Sequence, residues 1–166
     1  MMITGCAPTI EDYKDTKPAL AFEDFFNGDV TARGILQDRG GKVTRRFTIS
    51  MHGEWKDNKG TLVENFIYDD GEKQQRVWDI TRLPNNRYEG TASDIAGVAK
   101  GEALGNAIRW NYVMSVPVQG NTYNLSFDDW MFLLPDGTML NRSTITKFGF
   151  KVGEISIFMH KGNHGL

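Results

Sequence analysis

The groups most able to do chemistry are charges placed on rows that otherwise look apolar. Across the turn Asp69-Asp70-Gly71, Glu64 shares a strand face with Phe66 and Tyr68, and Arg76 shares one with Trp78 and Ile80. A turn of this length lets the two rows meet, which puts Glu64 and Arg76 within diagonal reach. Further along, Asp129 interrupts the apolar row Leu125, Phe127, Met131 and Leu133, while Asp128 falls on the opposite row beside Trp130 and Phe132. Arg142 and Lys147 follow on the next strand. An unpaired charge in an apolar interior is strongly unfavourable, so such groups either pair with one another or meet a polar ligand.

Three chemistries fit that pattern. The charges form an internal salt-bridge cluster that holds register and plugs one end; or Arg76, Arg142 or Lys147 receives the head group of a ligand. In the third, Glu64 or Asp129 acts as general acid or base toward a lipid. Asp128 and Asp129 cannot form one acid/base pair, because neighbouring strand residues point to opposite faces. Trp55, Trp78, Trp110, Trp130 and Tyr112 all fall in strand-like stretches. They either fill the core or line a cavity in which an apolar tail would lie among Trp78, Trp110 and Tyr112.

Signatures of enzymes and metals are weak. No nucleophile elbow, phosphate loop or paired-histidine motif occurs, and no cofactor is implied. His52 falls on the wet face of its strand, and His160 and His164 sit at a glycine-containing C-terminus that reads as a loose end rather than a metal site. The single cysteine, Cys6, leaves no internal disulfide and no cysteine-based zinc site. A non-enzymatic role fits best.

The elements that must position these groups are strands. Phe47, Ile49, Met51, Gly53 and Trp55 alternate with Arg46, Thr48, Ser50, His52 and Glu54, a period of two with one face buried and one wet. Residues 107–116 repeat the pattern, and similar reading gives strands near 29–38, 61–69, 73–83, 86–93, 98–104, 121–134, 137–147 and 150–160. Turn signals stand between them, among them Gly40-Gly41, Asn58-Lys59-Gly60, Asn85-Asn86, Gly105-Asn106, Gly120-Asn121 and Asp136-Gly137. Gly97, Gly101 and Gly105 read as glycines at strand bends. Before the strands, Pro18 to Phe26 has helical spacing and ends at Asn27-Gly28. The reading is therefore an all-β, antiparallel up-and-down barrel of lipocalin-like (calycin-like) type, with about 8–10 strands and a short N-terminal helix. A two-layer sandwich is the alternative.

Composition agrees with one such domain: 166 residues, 40% hydrophobic and 24% charged. A net charge of -2 argues against a nucleic-acid partner. No run of about 18 apolar residues occurs. Ile3-Thr4-Gly5-Cys6 resembles the end of a bacterial lipoprotein signal, with Cys6 acylated. The charged and apolar stretch that ordinarily precedes that motif is missing, and the start Met1-Met2 reads as a misplaced start codon or a trimmed chain. Ala7, rather than aspartate, follows the cysteine, which directs the expectation to the outer membrane, periplasmic face. Residues 1–17 then read as a lipobox remnant and polar tether, 18–160 as the barrel and 161–166 as a tail.

The runs Phe26-Asn27-Gly28, Gln37-Asp38-Arg39, Tyr68-Asp69-Asp70-Gly71, Arg76-Val77-Trp78, Tyr88-Glu89-Gly90-Thr91-Ala92, Phe127-Asp128-Asp129-Trp130-Met131 and Lys147-Phe148-Gly149-Phe150 carry a resemblance. In that order they resemble an uncharacterised family of proteobacterial lipoproteins with a lipocalin-like barrel and no assigned activity. The resemblance runs from about Ile10 to Phe158 and implies a lipid anchor at Cys6. It tilts the ligand toward a fatty acid or phospholipid. The expected function is a membrane-anchored lipoprotein holding a small hydrophobic ligand, with Glu64, Arg76, Trp78, Trp110, Tyr112, Asp129, Arg142 and Lys147 as candidate contacts. A filled-barrel envelope protein with an interaction surface is the main alternative.

Overall fold

Each strand pairs antiparallel with the one before it, and the last closes on the first, so the sheet has no free edge. The structure, a computed structural model, describes residues 7–163. Its ten strands are β1 (Gly28–Asp38), β2 (Val43–Lys56), β3 (Lys59–Tyr68), β4 (Lys73–Leu83), β5 (Arg87–Thr91), β6 (Ile95–Leu104), β7 (Ala107–Val118), β8 (Asn121–Leu133), β9 (Met139–Lys147) and β10 (Phe150–Lys161). The barrel expected from alternation is the barrel found, and the sandwich is excluded by the β1–β10 pairing.

Two strands begin earlier than turn residues alone suggest. Lys56 pairs with Lys59, so the β2–β3 turn is Asp57-Asn58, with Asp57 at φ 54, and Gly60 already belongs to β3. In β6, Gly97 takes φ 73 at an irregularity between Ala96 and Lys100, a bend that only glycine adopts easily, and the strand reaches back to Ile95.

The N-terminal part differs more. Residues 7–17 read as a tether, but they lie against the barrel. A 3-10 turn, Ile10–Tyr13, buries Ile10, and the Tyr13 ring sits 5.4 Å from Trp130 and 5.3 Å from Phe132. The Thr16 hydroxyl donates to Asn106 at 2.7 Å and accepts from the Asn106 N–H at 2.9 Å. The helix expected over 18–26 is a single turn, α1 (Phe22–Phe25), because the Leu20 N–H is taken by the Gly105 carbonyl at 2.8 Å and the chain stays extended there.

That turn is the plug of the barrel. Phe22, Phe25 and Phe26 are buried, and the Phe22 ring contacts Trp55, Tyr88 and Trp110 from the β2, β5 and β7 walls. Tyr88 is 1% exposed; its hydroxyl donates to Glu23 at 2.8 Å and accepts from the Phe22 N–H at 3.3 Å. Arg82 pairs with Glu23, and the Lys161 ammonium holds the Asp24 and Asn27 carbonyls at 2.6 and 3.1 Å. The plugged end thus carries the β2–β3, β4–β5, β6–β7 and β8–β9 turns. The mouth carries the others.

Trp110 lies flat over the inner face of β6, and Gly101 makes the room. A Cβ at Gly101 would fall 2.1 Å from the Trp110 ring, which the plug holds in place. Gly101→Ala should therefore destabilise the barrel by about 1–3 kcal/mol, seen as a lower denaturant midpoint together with a shifted tryptophan emission. An unchanged midpoint would show that Trp110 moves freely.

Candidate functional site

Between the plug and the mouth the barrel encloses a cavity of about 540 Å³. Toward the plug its wall is Leu62, Trp78, Ile80 and Trp110; toward the mouth it is Phe47, Phe66, Tyr68, Leu125, Phe127 and Ile145. A belt of polar groups divides the two apolar regions.

Arg76 is the centre of the belt. Its Nε donates to both Asp94 oxygens at 3.1 and 3.0 Å and its Nη2 to Asp94 Oδ2 at 2.8 Å. Its Nη1 donates to Glu64 at 3.3 Å, and Trp78 Nε1 donates to the same Glu64 oxygen at 3.3 Å. Glu64 and Arg76 are directly opposite in the β3–β4 ladder, closer than the diagonal relation expected from the turn. Burial opposes charge on Arg76, but Glu64 and Asp94 outweigh it and hold the guanidinium's pKa above its ordinary value. Burial raises Glu64, only partly countered by Arg76 and Trp78.

Beside it, joined by the contact of Trp78 with Tyr112, stands a second group. The Tyr112 hydroxyl donates to Asp129 Oδ2 at 3.1 Å. Asp129 Oδ1 is buried without a partner, and so is the hydroxyl of Ser143, the residue opposite Asp129 in the β8–β9 ladder. Burial pushes the Asp129 carboxyl up to about 7 and Tyr112 well above its ordinary value.

Six residues expected at the site, Glu64, Arg76, Trp78, Trp110, Tyr112 and Asp129, stand together on this wall. Two do not. Arg142 points outward, with its side chain 69% exposed and 2.9 Å from Glu154, because its neighbours Asn141 and Ser143 take the inward positions of β9. Lys147 ends β9 at the rim, with its ammonium 3.8 Å from the Tyr123 ring, outside the cavity wall. Arg142 and Lys147 differ in parity, so one strand could never aim both inward. Trp130 also faces out, under Tyr13, and Asp128 pairs outside with Arg109 at 2.8 Å.

Sequence reading missed Asp94, Asn141 and Ser143. Asp94 lies in the β5–β6 connection and resembles an ordinary turn aspartate, so only the fold reveals it. Asn141 and Ser143 were legible: they interrupt the row Met139 to Ile145. Asn141 is tied to the Trp130 carbonyl at 3.2 Å. Among the described residues no group of three His, Cys, Asp or Glu side chains is placed to hold a metal ion. Cys6 and His164 lie outside the described residues.

The barrel has a counterpart among solved structures. It is similar to the S-type phycobiliprotein lyase CPES from Guillardia theta, with a TM-score of 0.64 at 7% identity over 96% of this chain and 100% of that one. At that identity the likeness is one of fold. No curated protein matches the chain. A family model described as "Protein of unknown function (DUF3833)" matches residues 1–161.

The raised Asp129 midpoint has a signed consequence. The folded protein binds this proton more tightly than the unfolded chain does. The group's contribution is therefore full in acid and is lost as pH rises through about 7. Asp129→Asn lacks this dependence, whereas Glu64, Asp94, Arg76 and Tyr112, the charged and titratable groups around it, remain in both proteins. The unfolding free energy of the variant, measured by denaturant titration, should gain on that of the wild type between mildly acid and neutral pH and then level off, by a few kcal/mol at most. A difference independent of pH would show that Asp129 titrates normally.

Proposed function

The chain belongs to the DUF3833 family, and for it we propose a membrane-anchored binding protein that holds one small, hydrophobic, lipid-like ligand inside its barrel. The observation that carries the reading is the cavity: about 540 Å³, walled mainly by apolar and aromatic side chains, with a buried polar belt at mid-depth and a few further polar groups, Arg45, Glu72 and Gln74 among them, nearer the mouth. Ligand sites have volumes of roughly 300–1,000 Å³ and this kind of lining. A cavity of that size weighs against the filled-barrel alternative. A phycobiliprotein lyase uses the same fold, so the architecture is not reserved for structural roles.

The rim supports an apolar cargo. Phe148 is 89% and Phe150 74% exposed at the β9–β10 turn, and Val118 is 44% exposed at the neighbouring β7–β8 turn. Exposed apolar groups clustered at a cavity mouth mark a surface that greasy molecules cross. Organic extraction of natively purified protein, followed by mass spectrometry, should recover a lipid-like molecule, and removing it should change the emission of Trp78 and Trp110. An empty extract together with unresponsive tryptophans would sink the reading.

The anchor rests on Ile3-Thr4-Gly5-Cys6 and places the protein on the periplasmic face of a bacterial outer membrane. An acyl anchor contributes about 0.8 kcal/mol per buried methylene, so two chains suffice for stable attachment. Cys6→Ser in the protein with its natural signal should move it from the membrane fraction to the soluble periplasm. Wild-type protein already found soluble would end the anchor proposal.

A second reading has one observation in its favour. A buried carboxyl with a midpoint near 7 suits proton transfer, so Asp129 could act on a bound lipid. Conversion of the extracted ligand by wild type and not by Asp129→Asn would establish it.

A further inference from the structure

We infer that the polar belt is a receptor for a hydrogen-bond donor without negative charge, best an ammonium, bound at Asp129 and Ser143, and that it discriminates against the carboxylate of a free fatty acid. This rests on the reading of the barrel as a site for a hydrophobic ligand. It reverses the sign of head group that cationic contacts at Arg76, Arg142 and Lys147 would select.

The cations of the cavity wall are already matched. Arg76 uses all three of its nitrogens on Asp94 and Glu64. Arg45, the other cation on the wall, lies 3.2 Å from Asp70 and 2.8 Å from Glu72, with its guanidinium 3.6 Å over the Tyr68 ring. Against these two cations the wall carries four carboxyl groups, Glu64, Glu72, Asp94 and Asp129. An incoming carboxylate would have to displace an existing ion pair or sit beside excess negative charge in a poorly screened interior.

What the belt offers a ligand is an acceptor. Tyr112 satisfies one oxygen of Asp129 and leaves Oδ1, an acceptor, buried and unpaired. The Ser143 hydroxyl opposite it makes no hydrogen bond elsewhere, and its proton is, with that of Tyr112, the donor that faces Asp129. A ligand N–H or O–H donates to the Asp129 carboxylate, whereas a ligand carboxylate competes with Asp129 for the serine proton. The neighbouring rings pack against one another and fix the position of Asp129. Trp78 sits edge-on to Trp110 at 5.7 Å and to Tyr112 at 5.6 Å, and Trp110 is directly opposite Asp129 in the β7–β8 ladder. A buried water could occupy the same place, but water would confer no preference between head groups.

Three probes with one tail separate these cases: dodecylamine, 1-dodecanol and laurate. Their binding to the delipidated full chain is followed by tryptophan fluorescence at mildly alkaline pH, below the concentrations at which they aggregate. Dodecylamine should bind roughly tenfold or more tighter than laurate, with dodecanol between, as one charge-assisted hydrogen bond provides. Asp129→Asn should collapse that gap. Ser143→Ala, a smaller change to the fold, should weaken dodecylamine and dodecanol severalfold and leave laurate alone. Laurate binding as tightly as dodecylamine, or a gap that survives in both variants, overturns this inference while leaving the barrel a lipid binder. Binding of none of the three overturns the ligand-binding reading itself, and this inference with it.

Discussion

Closing an antiparallel sheet on itself sends every second side chain of every strand into one shared space. That constraint organises the whole molecule. Residues of one parity, such as Ile49, Met51, Trp78, Trp110 and Met131, must fill the space or line it, and the other parity must face water. A charge that falls on the inner parity cannot escape by a small rearrangement, because a one-residue slip would turn the whole strand inside out. Glu64, Arg76 and Asp129 are therefore held inside by the apolar residues that flank them.

Their being inside forces an electrostatic solution. Arg76 is tolerable where it stands because Asp94 and Glu64 take up its donors, and Glu64 because Arg76 and Trp78 donate to it. That mutual satisfaction also uses up the arginine. A positive side chain on a cavity wall looks like an anion receptor until its partners are counted. Here they outnumber it, and the acceptor left in the belt for a ligand is Asp129 Oδ1, beside the hydroxyl of Ser143. Binding chemistry follows from what a network leaves unpaired.

The plug makes the space a pocket rather than a channel. Phe22, packed on Phe26, reaches in against Trp55 and Trp110, and the polar contacts of Glu23 with Tyr88 and Arg82 lock the turn to β4 and β5. The chain before it is pinned outside by Tyr13 on Trp130 and Phe132. One open end remains, and it carries the exposed rings of Phe148 and Phe150.

Much of this was legible before any coordinates. Alternation and turn residues located ten strands, because the period of two is a local property of the strand and each hairpin turn is a local property of a few residues. The same alternation put Glu64, Arg76 and Asp129 on inner faces. Applied strictly, it would have placed Arg142 outside and Asn141 and Ser143 within. The partners were not legible. Asp94 reaches Arg76 from a connection that, in sequence, is only a turn, and residues 7–17 are too polar to announce that Ile10 and Tyr13 would pack. Sequence by itself determined which side chains face the interior, because facing is set by neighbours along the chain. Which of those charges neutralise one another, and which atoms stay open to a ligand, was decided by the tertiary structure. Such pairing depends on strands brought together only when the barrel closes.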